Sequence, residues 1–205
     1  MTDLKRTVLP LMLLGDGEVG KTSMILNLTG NEFNDTQLTT VGKESYIYQT
    51  KIKGYDLKMK IWDTAGQERF KSMSVQVIKN SDAVILVYAI NNKTSFLTLD
   101  TWLSRINDLV NLEKKPIIIV GNKCDIEENL REVGFEEGKE YAENKGYKFF
   151  ETSAKTGQGI KEAFEEIFNQ LFVALEPEIT GEKDEHRNGE VLSSKKSKSN
   201  RRSCC

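Results

Sequence analysis

The chain has 205 residues, 38% apolar and 29% charged, a composition that fits a soluble folded domain and excludes global disorder, a collagen or a disulfide-rich scaffold. Lys and Arg number 29 against 31 Asp and Glu, a net charge of −2, which excludes a protein whose whole surface attracts nucleic acid. The last thirteen residues carry five cations, Lys195, Lys196, Lys198, Arg201 and Arg202, and no acid, so residues 1–192 hold −7, the difference between −2 and +5.

The first apolar run, Val8–Leu14, predicts a strand, with Pro10 expected at its start because a proline costs a central strand a ladder hydrogen bond. It ends in Gly15-Asp16-Gly17-Glu18-Val19-Gly20-Lys21-Thr22, followed by the helical run Ser23–Leu28. This is the spacing of a phosphate-binding loop. Its glycines let successive backbone N–H groups converge on phosphate oxygens, Lys21 supplies a point charge to the β- and γ-phosphates, and the Thr22 hydroxyl is a hard ligand for Mg2+. Gly15, Gly17, Glu18, Val19, Gly20, Lys21, Thr22 and Ser23 form the expected phosphate-binding set.

The runs Tyr46–Ile52 and Leu57–Trp62 are separated only by Gly54-Tyr55-Asp56, too short for a crossover, which predicts a hairpin and one antiparallel strand at a sheet edge. Trp62-Asp63-Thr64-Ala65-Gly66-Gln67-Glu68 follows the second of these runs. There Asp63 is placed to hold Mg2+ through a water, Gly66 to offer a backbone N–H to the γ-phosphate, and Gln67 to orient an attacking water. Further strands are predicted at Ala83–Ile90, Pro116–Val120 and Tyr147–Phe150. Apolar stripes at Leu99, Trp102, Leu103, Ile106, Leu109 and Val110, and at Ile160, Phe164, Ile167, Phe168, Leu171 and Phe172, predict two helices packed on the core. Strands alternating with helical crossovers give an α/β three-layer sandwich with a mostly parallel six-stranded sheet.

The fifth run ends in Val120-Gly121-Asn122-Lys123-Cys124-Asp125. Guanine presents an N–H and an amino group side by side and adenine does not, so the Asp125 carboxylate is suited to select guanine, and a buried unpaired carboxylate penalises the wrong base. Glu151-Thr152-Ser153-Ala154-Lys155 closes the sixth run, where its backbone can meet the base from the other side. Asn122, Lys123, Asp125, Ser153, Ala154 and Lys155 are the expected base-binding set. After Leu175 apolar content drops, and residues 176–205 are expected to form a flexible tail on a domain of residues 1–175. The three cysteines, Cys124, Cys204 and Cys205, suit a reducing compartment better than a disulfide framework. Neither a signal peptide nor an apolar run long enough to span a bilayer is recognisable.

With these motifs in order over residues 8–173, the sequence resembles the Ras superfamily of small GTPases. Within it, Trp62–Phe70, Asn122-Lys-Cys-Asp125, Glu151-Thr-Ser-Ala-Lys155 and the terminal Cys204-Cys205 resemble the Rab branch. The resemblance implies a switch that binds GTP and GDP with Mg2+, hydrolyses GTP and regulates vesicle traffic from the cytoplasmic face of an intracellular membrane, cycling with the cytosol. It implies that Thr40 joins Thr22 and Asp63 on the metal, that Phe33 packs on guanine, and that residues 33–45 and 63–80 are switches. Through these a monomer would meet an exchange factor, an activating protein, a GDP-dissociation inhibitor and effectors. With no assignable arginine finger in cis, slow intrinsic hydrolysis is expected, completed by a partner's arginine. The resemblance further implies prenylation of Cys204 and Cys205 beside the basic run. The second reading is a binding module that holds its nucleotide without cycling. Glu18, Ser45 and Val77-Ile78 depart from the family's usual residues, the last three at sites where the family meets regulators and effectors.

Overall fold

The computed structural model describes residues 4–30, 43–64, 73–111 and 115–181. Six strands, β1 (Val8–Leu14), β2 (Lys43–Ile52), β3 (Tyr55–Thr64), β4 (Ala83–Ala89), β5 (Ile117–Asn122) and β6 (Lys148–Thr152), form one sheet in the order β2-β3-β1-β4-β5-β6. All neighbours run parallel except β2 and β3, so the expected antiparallel strand is at the edge. The hairpin turn is narrower than the glycine position suggested. Ile52 pairs directly with Tyr55, and Lys53 (φ 47°) and Gly54 (φ 88°) alone make the reversal. Positive φ at both central residues is the geometry whose twist matches that of the flanking strands, and Gly54 adopts it without Cβ strain.

The helices are α1 (Lys21–Leu28), α2 (Met73–Asn80), α3 (Lys93–Leu97), α4 (Leu99–Leu109), α5 (Phe135–Asn144) and α6 (Ile160–Thr180). Strand periodicity divides the core by face. Leu9, Leu11 and Leu13 of β1 pack with Met24 and Ile25 of α1 and with Phe164, Phe168 and Phe172 of α6. Met12 and Leu14 pack on the other face with Ile78, Trp102 and Ile106. The three-layer sandwich therefore has α1 and α6 on one side and α2 to α5 on the other. Val77 and Ile78 are both buried in this second core. Expected as altered partner-facing positions, they are packing residues, whereas Ser45 is exposed on β2.

Two boundaries differ from expectation. Pro10 lies inside central strand β1, opposite Lys60 of β3. Its carbonyl accepts from Asp82 N–H on the β4 side, one residue before β1 and β4 begin to pair at Leu11 and Ala83. The missing proline N–H points to that same side, where no ladder bond is yet due. The last helix does not end at Leu175 but continues through Pro177 to Thr180. Ile179 is fully buried, its carbonyl accepts from Lys5 N–H, and Arg6 pairs with Glu178 at 2.6 Å. These tertiary contacts outweigh the tendency of a chain to leave the helix ahead of a proline.

Candidate functional site

The carboxyl ends of β1, β3, β5 and β6 bring the sequence-predicted residues to one edge of the sheet, where open α/β sheets bind ligands. β1 runs into the loop Gly15–Gly20, and α1 begins at Lys21 behind a left-handed Gly20. No side chain caps this helix and its first turn holds no acid, so its leading N–H groups and the positive end of its dipole suit an anion. Space at the loop is limiting. A Cβ at Gly15 would stand 2.0 Å from the Val87 carbonyl oxygen, and one at Gly20 would stand 2.3 Å from Asn122 Nδ2. Glu18 takes a left-handed conformation with φ 62° and is exposed, so the acid that departs from the family pattern turns outward.

Lys21 is buried, and its Nζ donates to the carbonyls of Gly15 at 2.9 Å and Asp16 at 2.7 Å. The side chain thus closes back over the loop, presenting a cation where the N–H groups converge. Burial pulls its pKa down to about 8, against the opposing pull of the Asp63 and Asp16 carboxylates; the ammonium form still dominates at neutral pH.

Thr22 Oγ1 donates to Asp63 Oδ2 at 2.6 Å, joining the first turn of α1 to the end of β3. A hydroxyl and a carboxylate converge beside the phosphate loop, and Asp63 is completely buried. An all-oxygen, singly anionic pair of this kind is the hard donor set that fits Mg2+, which keeps waters and phosphate oxygens as its remaining ligands.

Asn122 ties together the two halves of the site. Its Nδ2 donates to the Val19 carbonyl at 2.8 Å, while its Oδ1 accepts from Thr152 Oγ1 and from Ala154 N–H, each at 3.1 Å. Phosphate loop, β5 and the 153–155 loop are therefore locked by one buried amide. That engagement makes Asn122 a brace for the base site, with one amide hydrogen left over for any ligand. Asp125 accepts from Ser153 Oγ at 2.6 Å, which aims its carboxylate. Lys123 has a left-handed φ of 74°, and in the loop after β6 Ala154 is buried and Lys155 exposed. Of the predicted residues, Phe33, Thr40, Gly66, Gln67, Cys204 and Cys205, with residues 33–42 and 65–72 of the two switch segments, lie outside the described residues.

Three residues of the site escaped sequence reasoning. Trp102 of α4 donates from Nε1 to the buried Asp16 carboxylate at 3.0 Å, tying the phosphate loop to a helix that periodicity identified only as core. Arg131 makes a two-pronged pair with Glu151 at 2.6 and 3.0 Å, clamping the 128–133 turn to the end of β6. Asp16, Trp102 and Arg131 stand in sequence as an unspecified loop position, a core aromatic and a surface cation, so no local pattern marks them.

A phosphate loop, an oxygen donor pair and a guanine-suited carboxylate in one crevice agree with the comparisons. The Ras family model matches residues 10–173. The chain belongs to the Ras family. It is 35% identical to the Ras-related protein Rab-15 of Homo sapiens over 83% of this chain and 80% of that one. It is 36% identical to Ras-related protein Rab-13 of Bos taurus, over 80% and 79% of the two chains. With the GTP-binding protein ypt2 of Schizosaccharomyces pombe it shares 37% identity over 77% and 78%. As a Rab-like member of this family it is a GTPase that binds GTP and GDP. No described helix is long and apolar enough to cross a membrane.

Proposed function

We propose that this Ras-family GTPase is a cycling guanine-nucleotide switch of vesicle traffic, tethered by its carboxyl-terminal tail to the cytoplasmic face of an intracellular membrane. The observation that carries the nucleotide half of this reading is the Asn122 brace, which fixes the phosphate loop and the base-facing Asp125–Ser153 pair relative to each other. A rigid spacing between a phosphate cradle and a base-selecting carboxylate is what a purine nucleotide of fixed length requires.

In the bound state the Gly15–Gly20 loop, α1 N–H groups and Lys21 ammonium hold the phosphates, and Asp125 accepts from the guanine edge, with Lys123 and the 153–155 loop enclosing the base. Thr22, Asp63 and Thr40 would hold Mg2+, which neutralises charge developing on the phosphate oxygens. Gln67 orients a water so that its oxygen attacks the γ-phosphorus. The bond from that phosphorus to the β–γ bridging oxygen breaks with its electron pair going to GDP, and the water's protons pass to phosphate and solvent. Lys21 stabilises the charge on the leaving side. Residues 33–45 and 63–80 report the γ-phosphate to an exchange factor, an activating protein, a GDP-dissociation inhibitor and effectors. Prenyl groups on Cys204 and Cys205, with the basic run before them, supply the paired signals that stable membrane attachment needs.

Single-turnover hydrolysis of labelled GTP and ATP by the full chain, beside its Gln67→Leu variant, tests the cycling switch against a nucleotide-locked module. GTP should be bound and slowly cleaved in preference to ATP, and Gln67→Leu should keep GTP while losing most cleavage. No cleavage by the unaltered chain, or cleavage unaffected by Gln67→Leu, would overturn the reading.

A further inference from the structure

The end of the sheet opposite the nucleotide crevice carries an independent feature. The amino ends of β1 and β3, the hairpin turn and the carboxyl end of α6 all lie there, as the parallel order of β1 and β3 and the descent of α6 from Ile160 to Thr180 require. Lys5, Lys51, Lys53, Lys58 and Lys79 are exposed around this base. The nearby acids are mostly engaged. Arg6 takes both Asp82 and Glu178, and Asp56 lies 3.5 Å from Lys51. A domain whose first 192 residues sum to −7 therefore shows a locally basic end.

The chain's basic tip is attached at this same end. Lys5 N–H bonds the Ile179 carbonyl, Arg6 bridges to Glu178, and a Cβ at Gly181 would stand 2.8 Å from the Lys5 side chain. The amino-terminal residues thereby fix where the chain leaves α6, with residues 182–205 still to follow. A chain of that many residues spans at most on the order of 80 Å, so the tether's length by itself does not set the orientation of the domain. The basic base removes this freedom on a negatively charged surface. A net positive charge at the point of attachment lies within a Debye length of the leaflet whenever the base turns toward it.

We infer that the base of the domain, centred on Lys53 and Lys58, is a second contact for anionic lipid headgroups, which sets the bound domain with its nucleotide crevice and switches facing away from the membrane. This rests on the tether proposed above. The hairpin is suited to the contact. Lys58 and Val8, paired with it on β1, are both exposed, and Lys53 is exposed on the turn with its ammonium anchored 5.1 Å from the Phe172 ring, so its charge is held at the base of the domain.

The test uses the full-length prenylated chain loaded with GDP, floated with vesicles of phosphatidylcholine alone or mixed with phosphatidylserine. The Lys53→Gln/Lys58→Gln variant is compared with Lys139→Gln/Lys161→Gln, which removes the same charge from α5 and the crevice end of α6. At about fivefold per lysine near an anionic surface, the base variant should lose roughly 10- to 30-fold of its partitioning to phosphatidylserine vesicles and none to phosphatidylcholine, the control pair less than about twofold. Lys53, Lys58 and Lys161 are exposed and Lys139 is half-buried, and retained GDP binding verifies folding. Equal losses in the two variants, or no loss in either, would overturn the inference. Should the Cys204→Ser/Cys205→Ser chain float as well as the prenylated one, the tether reading falls, while the lysine comparison still decides the surface. If the prenylated chain floats with neither vesicle, both fall.

Discussion

Replacing Trp102 with Phe removes one hydrogen bond donor from the phosphate loop while keeping an aromatic ring in the α4 core. The indole N–H reaches Asp16 at 3.0 Å, and both residues are nearly closed to solvent, at 5% and 7% exposure. A hydrogen bond to a buried carboxylate contributes about 1.5–3 kcal/mol, most of it the cost of leaving that carboxylate unpaired. The smaller ring adds a cavity cost of about 1 kcal/mol that does not depend on Asp16. A double-mutant cycle with Asp16→Ala separates the two, and a coupling near 2 kcal/mol is expected from urea unfolding at saturating GDP. Asp16 also supplies the carbonyl that receives Lys21, so a loosened loop should release GDP faster, by about tenfold for each 1.4 kcal/mol lost from the bound state. Release of a fluorescent GDP analogue from the Trp102→Phe chain measures this. Coupling below about 0.5 kcal/mol, or a stability loss with unchanged GDP release, would show that the bond packs the helix without positioning the loop.

Two further substitutions probe the frame around the site. Tyr88 is completely buried, its hydroxyl has no hydrogen bond partner among the described residues, and burial pushes its pKa up; a Cβ on Gly138 of α5 would lie 2.3 Å from that oxygen. Gly138→Ala alone should destabilise by about 1–2 kcal/mol, because overpacking exceeds the helix-propensity gain of about 1 kcal/mol. Tyr88→Phe should be neutral or stabilising and should rescue it, as read by denaturant midpoints of the four chains; additive effects would refute the shared space. Lys53→Asn places the preferred Asn-Gly pair in the β2–β3 turn, where φ is positive at both positions. It should raise the thermal midpoint slightly, a gain of up to about 0.5 kcal/mol after loss of the cation over Phe172, whereas a fall in midpoint would contradict the turn geometry.

Much of the fold was legible because its causes are local. β-branched runs, the short link before Leu57, and stripes such as Phe164 to Phe172 follow from backbone sterics and periodicity, and the phosphate loop from spacing that only converging N–H groups need. The same local chemistry pointed to Lys21, Thr22, Asp63 and Asp125, and the topology carries all four to one sheet edge. The rest depended on pairs far apart in the chain. Asp16 meets Trp102 across 86 positions, Asn122 meets Val19 across 103, and Arg6 meets Glu178 across 172. No window of sequence holds both partners of such bonds, so Asn122 reads as a base ligand until its amide is found bracing two loops. Val77 and Ile78 likewise read as partner-facing until they are found in the core. Residue 176 reads as the start of the tail until the last helix is found to run on to Thr180, with Ile179 buried and bonded to Lys5. Sequence by itself determined the chemistry of a guanine-nucleotide crevice, since each motif carries its own physical reason. Tertiary structure alone decided how rigidly that crevice is held and where the tail departs, because rigidity and exit point belong to contacts between distant segments.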